Sequence, residues 1–190
     1  MTALIRPVEP RDHAALWTIA EPIIVAGETY TLPRDLGEAE FLAYWLHPDK
    51  VAFVLEEDGQ LLGTSYLRKN QLGGGAHVAN AGFMTAAASA GRGVASRLCR
   101  HAEDEARTRG FRAMQFNFVV AENHRAIGLW RHLGYEVVGR LPSAFLHPHA
   151  GFVDALVMFK SLSDDGQPGF ARPSASLDVS ASRAVATSLV

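Results

Sequence analysis

Helices seldom begin on glycine, yet the stretch SAGRGVASRL, Ser89 to Leu98, places Gly91 and Gly93 either side of an arginine and runs straight into apolar residues at helical spacing. Glycine is permissive but entropically costly, so a pair at a helix entrance implies that the backbone there is approached closely. The helix itself is well marked. Val94, Leu98, Ala102 and Ala106 recur at four-residue steps, Arg107 and Arg109 close the last turn, and Gly110 stands where the helix should stop. A helix N-terminus offers unpaired backbone N–H groups and the positive end of its dipole, which together hold phosphate oxygens. A Walker loop needs Lys and then Ser or Thr after its second glycine, where Val94 and Ala95 follow Gly93. The dinucleotide fingerprint wants Gly or Ala where Ser96 stands, and a carboxylate about 20 residues further on, where Phe111 stands. Both fit poorly.

The flanking chain supplies the frame. ALIRPVEP reads as a short strand, RDHAALWTIAEPI and DLGEAEFLAYWLH as amphipathic helices, and VAFVLEEDGQLLGTSYLR as two strands joined at Asp58-Gly59, a hairpin signal. NQLGGG turns into a strand, AHVANAGFM. After the glycine-led helix, RAMQFNFVV puts Met114, Phe116, Phe118 and Val120 on one face, with Gln115, Asn117 and Val119 on the other. ENHRAIGLWRHLGY gives a short helix stopped at Gly134, and YEVVGR and GFVDALVMFK give two more strands. Strand-helix-strand crossovers favour parallel pairing, so the expected architecture is α/β (α+β), a mixed sheet covered by helices. Residues 1–162 form one domain in this reading. Residues 163–190, rich in Ser, Ala, Gly, Pro and Asp without a clear period, form a C-terminal tail, either flexible or packed on the domain or a neighbouring subunit.

The formal charge of −2 over 190 residues argues against a generic nucleic-acid binder, which needs a basic face. Cys99 is the sole cysteine, so no intrachain disulfide forms and no paired zinc spacing exists; a reducing cytoplasm is the expected compartment. It falls among apolar helix positions, as a small core residue does, rather than as an acyl-carrying nucleophile. His147 and His149 in HPH lack further ligand partners, and are read as part of a substrate-side loop rather than a metal site. No leader pattern and no apolar run of membrane-spanning length is present, so no membrane association is expected.

A strand, a glycine-bearing turn, a helix, a strand, and an Asn at the mouth of a second helix ending in Gly-aromatic resemble the GNAT family of acyl-CoA-dependent N-acyltransferases. The resemblance runs from Ile5 to Leu162 and is most specific from Asn80 to Gly139. It implies a mostly antiparallel sheet with one splayed parallel pair and helices on both faces. In the family's Gln/Arg-x-x-Gly-x-Gly/Ala loop, backbone N–H groups hold the coenzyme A pyrophosphate. Here Gly93 and Ala95 match the last two positions and Ala90 replaces the Gln or Arg. Ala90, Gly91, Arg92, Gly93, Val94 and Ala95 are the implied coenzyme loop, and Phe83 and Met84 the strand edge meeting the pantetheine and thioester.

The segment AENHRAIGLWRHLGYEVVG is similar to the family's second motif through Asn123, Ala126, Leu129 and Gly134, but Trp130 stands where a Tyr acid is frequent. The family's usual donor to the leaving thiolate is therefore missing, although a thiol of pKa about 8.5 is a tolerable leaving group. NAGFMTAAASAGRG, FNFVVAEN and FVDALVMFK look more specifically like the fungal L-azetidine-2-carboxylate and proline-analogue N-acetyltransferases. That likeness implies substrate-holding roles for Asn80 and Asn117 and support of the acetyl-CoA end by Asn123. GETYTLP adds Glu28, as base or amine anchor, and Tyr30. The expected catalytic set is Asn117, Asn123 and Glu28, with Trp130 beside the coenzyme. The implied activity is acetyl transfer from acetyl-CoA, without metal, to the amine of a small amino or imino acid by a cytoplasmic homodimer, in a detoxifying role. A non-catalytic acyl-CoA sensor and an acetyltransferase of protein amines are the alternatives.

Overall fold

The computed structural model describes residues 3–163, so the tail assigned from sequence lies outside the described residues from residue 164 onward. Seven strands form one sheet in the order β1-β2-β3-β4-β5-β7-β6: β1 Leu4–Pro7, β2 Lys50–Glu57, β3 Gln60–Lys69, β4 Val78–Thr85, β5 Ala113–Val120, β6 Glu136–His147 and β7 Gly151–Ser161. Four helices cover it: α1 His13–Ala26, α2 Glu38–Trp45, α3 Val94–Thr108 and α4 His124–His132. The Asp58-Gly59 turn carries positive φ at both residues (50° and 79°), the conformation that lets two residues join β2 and β3.

Apolar side chains on the two faces of the sheet build two cores. One joins α1 and α2 to the sheet through Leu16, Ile24, Phe41 and Trp45 against Val54, Tyr66 and Met84. The other joins α3 and α4 through Cys99, Ala102, Ile127 and Trp130 against Leu67, Met114, Phe116 and Tyr135. Trp45 is tied to its sheet partner polarly as well, its Nε1 donating to Thr64 Oγ1 at 3.0 Å. Cys99 is fully buried, and burial pushes its thiol up to about 12, in keeping with a packing residue.

All neighbouring pairs are antiparallel except β4 and β5, which pair in parallel over only Val78↔Ala113 and Ala79↔Met114. Beyond Ala79 the two strands part. At the first unpaired step the Asn80 side chain spans the gap, its Nδ2 donating to the Gln115 carbonyl at 3.0 Å where the backbone ladder has ended. The alternation expected along β5 also fails near this point. A register shift between Phe116 and Val119 lets Val119 join Met114 and Phe116 in the α3 core, while Phe118 and Val120 pack with Phe145 and Val153 on the other side. A bulge adds a residue and so inverts every later side chain, which strict period-2 reading cannot anticipate.

Candidate functional site

A cavity of about 740 Å³ opens where β4 and β5 diverge, bounded by the α1–α2 connection, β3, the α3 entrance and α4. At its α3 end, Gly91 and Gly93 take φ of +78° and +70°, and a Cβ at either would meet nothing within 4 Å. The glycines are therefore demanded by backbone conformation, and the space before them is open. The first bond into the helix runs from the Arg97 N–H to the Gly93 carbonyl at 3.0 Å, and no side chain caps the end. The amides of Val94, Ala95 and Ser96 are thus left without helical acceptors. Ala90 and Ala95 line the cavity next to this cradle. Val94 is buried against Leu55 and Leu98, so only its amide is available, and the Arg92 guanidinium turns away to the Glu57 carboxylate.

The middle of the cavity lies along β4. Asn70 N–H donates to the Val78 carbonyl and Ala86 N–H to the Leu62 carbonyl, so even-numbered β4 residues pair with β3. By alternation, Ala81, Phe83 and Thr85 turn their backbone groups toward the gap, while Met84 stays in register with Thr64. The Tyr30 hydroxyl donates to the Phe83 carbonyl at 2.8 Å and accepts from its N–H at 3.1 Å, standing in for the missing strand. Burial pushes the Tyr30 phenol well above its ordinary range, so it is a neutral donor and acceptor. Phe83, Phe116 and Trp130 close one wall, with the Trp130 ring centroid 5.2 Å from Phe83 and 5.0 Å from Phe116. Asn123 caps α4, its Oδ1 accepting from the Ala126 N–H at 3.1 Å, and also lines the cavity.

The far end is made of side chains. Asn117 Oδ1 accepts from Gln115 Nε2 at 2.8 Å, and Asn117 Nδ2 donates to Asn70 Oδ1 at 2.7 Å, a chain of amides that fixes how Asn117 faces the cavity. Tyr44, Tyr66 and Arg68 complete this end. Gly82 is required there because a Cβ would run into the Tyr66 ring. Glu28 lines the opening, and its Oε1 lies 3.6 Å from Nε2 of His149, at the tip of the β6–β7 hairpin. The structure thus brings together Glu28, Tyr30, Asn80, Phe83, Met84, Ala90, Ala95, Asn117, Asn123 and Trp130. Gly91, Arg92, Gly93 and Val94 of the expected coenzyme loop do not line the cavity.

Sequence reading overlooked Arg68, Tyr66, Tyr44 and Asn70. Tyr66 and Arg68 are two apart on a strand, a polar pair on one face that could have been noticed, but nothing local indicated which face met the cavity. Among the described residues no group of three or more His, Cys, Asp or Glu is placed to hold a metal ion, and no helix is long and apolar enough to cross a membrane.

The sheet order, the splay and the uncapped glycine cradle are the features that a GNAT fold implies. The sequence matches the acetyltransferase (GNAT) family over residues 13–135. The chain belongs to that family. It is similar to a GCN5-related N-acetyltransferase from Kribbella flavida, at 40% identity over 84% of this chain and 97% of that one, with a TM-score of 0.80. The fold also matches yncA, a putative acetyltransferase from Salmonella typhimurium solved with acetyl-CoA, at 21% identity, TM-score 0.77, over 90% of this chain and 99% of that one. A phosphinothricin acetyltransferase from Sinorhizobium meliloti in complex with acetyl-CoA matches at 18% identity, TM-score 0.76, covering 90% and 95%.

Proposed function

We propose that the protein transfers an acetyl group from acetyl-CoA to the amine of a small amino or imino acid. The observation that carries this reading is the continuity of one cavity from the Ala90 and Ala95 cradle, past the β4 edge, to the amide and tyrosine end. The cradle fits a pyrophosphate: its donors are unpaired, the helix dipole favours negative charge, and no Cβ obstructs the approach at Gly91 or Gly93. Acetyl-CoA supplies a thioester whose C–S bond breaks as the acceptor's neutral nitrogen forms a C–N bond, leaving an amide, a thiolate and a proton to be removed.

The chain's own groups align and desolvate this exchange. Phe83, Phe116 and Trp130 exclude water from one wall, and holding two reactants in register can lower a barrier by roughly 7–11 kcal/mol in well-oriented cases. Asn117, with its amide oriented by Gln115 and Asn70, holds the acceptor, and Asn80 stands beside it at the splay. Asn123 supports the acetyl-CoA end at the mouth of α4. Glu28, beside His149, takes the proton released from the acceptor nitrogen. Trp130 carries no acidic hydroxyl, so the thiolate leaves to solvent or a hydrogen bond rather than to a phenol.

The test is thiol release from acetyl-CoA by the purified full chain, with azetidine-2-carboxylate and proline analogues set against primary amino acids, polyamines and a short peptide. Release with the amino or imino acids, lost in Asn117→Ala while acetyl-CoA still raises the melting temperature, is the expected result. Stabilisation by acetyl-CoA with no release from any acceptor would leave a binding module and defeat the proposal.

A further inference from the structure

The register of the sheet sets three polar side chains in a row at the far end of the cavity. Lys50 pairs with Arg68 across β2 and β3, and Arg68 pairs with Asn80 across β3 and β4, so all three share the face that carries Tyr66. Two of the three are cations, and the nearest carboxylate is Asp49. Its Oδ2 lies 3.3 Å from Arg68 Nη1, but its Oδ1 is held by His47 at 2.7 Å. Lys50 Nζ is tucked over the Tyr44 ring at 3.5 Å and donates to the Tyr44 carbonyl. Burial first, and then the neighbouring Arg68 charge, push the Lys50 ammonium down to about 8.

Arg68 and Asn80 of this row line the cavity, and Arg68 is the cation there. Its Nη1 is taken by Asp49, while its Nε is buried and has no hydrogen-bond partner among the described residues. A buried guanidinium N–H left unpaired in a structure otherwise rich in satisfied groups marks the place of a missing acceptor. The planar guanidinium carries its donors in the fork geometry that matches the two oxygens of a carboxylate. The cavity offers the complementary feature as well, since Glu28 lines its opening and suits the nitrogen end of the same molecule.

We propose that Arg68 is the acceptor-binding residue that grips a carboxylate, so that the acceptor is a free amino or imino acid held by its acid group. This rests on the cavity binding the acceptor as described above. An acceptor bound this way is read at both ends: the carboxylate by Arg68, with Lys50 behind it adding positive field, and the nitrogen by the amide and Glu28 side. A polyamine has nothing for the fork and meets two like charges. A peptide presents its carboxylate several atoms further from its amine, beyond what one compact end of the cavity can span.

The experiment is calorimetric titration of the full chain, saturated with CoA, using a panel of free amino and imino acids that includes L-azetidine-2-carboxylate, each with its methyl ester and primary amide, and a dipeptide. At least one acid is expected to bind about tenfold or more tightly than its ester or amide, the discrimination of a bidentate charged contact. Arg68→Gln should erase that preference and Arg68→Lys should retain part of it, with CoA affinity the same in all three proteins. In turnover, Arg68→Gln should raise KM for the acid at least tenfold and leave kcat within a few-fold. Equal binding of acid and ester, absence of binding by every acid, or an Arg68→Gln loss that falls equally on acid and amide would overturn the proposal. The outcomes separate the two readings: acids bound through Arg68 without thiol release defeat acetyl transfer alone, and thiol release indifferent to the carboxylate defeats this proposal alone.

Discussion

At the α3 end of the cavity the donors are backbone amides of three consecutive residues, shaped by two glycines and needing no side chain. At the opposite end the groups are side chains drawn from β3, β4, β5 and the α1–α2 connection, brought together by strand register and by contacts such as Asn117 to Asn70, 47 residues apart. In the function proposed above, the backbone cradle recognises what every acyl-CoA shares. The assembly of side chains then recognises one acceptor, and can change partner by changing residues without disturbing the helix. The contrast teaches where a chain of this family keeps its common chemistry and where it keeps its individuality.

The largest effect that would break this comparison is at the cradle. Gly93→Val forces a branched residue into φ of +70°, at a cost of roughly 1–2 kcal/mol in strain, so acetyl-CoA should bind about 5- to 30-fold more weakly if that strain is relieved by shifting the amides. Calorimetry with acetyl-CoA reads this directly, and unchanged affinity would deny the cradle its role. Next is Tyr30→Phe, which strips the Phe83 N–H and carbonyl of their partner; a loss of about 1–3 kcal/mol, seen as a fall of several degrees in melting temperature, is expected. Asn123→Ala should cost about 1 kcal/mol of stability through the lost cap, measured by urea unfolding, and additionally weaken acetyl-CoA binding if its position in the cavity matters.

The smallest effect sharpens the other side. The folded-state value of Lys50, about 8, lies below the ordinary 10.5, so between those values the unfolded chain holds more protons than the folded one. This group therefore adds stability as pH rises from about 8 to 10.5 and withdraws it as pH falls through that window. In Lys50→Met the contribution is absent, so the stability gap between the two proteins should move in favour of the wild type across that interval, as followed by urea midpoints. A gap that is flat with pH would mean that Lys50 keeps its ordinary value in the folded protein.

What could be read from the chain follows the same division. The α3 helix, its glycine entrance, its stop at Gly110 and the Asp58-Gly59 turn are local, and short-range chemistry specifies them. Asn80, Asn117 and Asn123 were legible because polar amides are conspicuous in or beside apolar strands and at a helix mouth. Arg68 was not, since an arginine near the end of a strand is ordinary until the register shows what stands beside it. The bulge in β5 was invisible for a related reason: its cause is the divergence from β4 and the pairing with β7, neither of which is encoded in the spacing of FNFVV. Trp130 illustrates a third case, where its departure from the family's tyrosine was plain in the sequence but its place in a wall of three rings was not.

The sheet is continuous, yet its two halves, β1 to β4 and β5 to β7, are stitched by two residue pairs, a backbone bond from the Arg112 N–H to the His77 carbonyl, and the Asn80 and Asn117 side chains. The ladders on either side are many residues long, so the seam is the weakest line through the strand layer, with α3 laid across it as a splint. Amides flanking that seam should exchange with solvent by small openings that leave both halves intact, ahead of those in the β2–β3 and β6–β7 hairpins. A seam of this kind lets the width of the cleft be retuned by a single residue, so that the half carrying β3 and β4 and the half carrying β6 and β7 can each accumulate change on its own schedule.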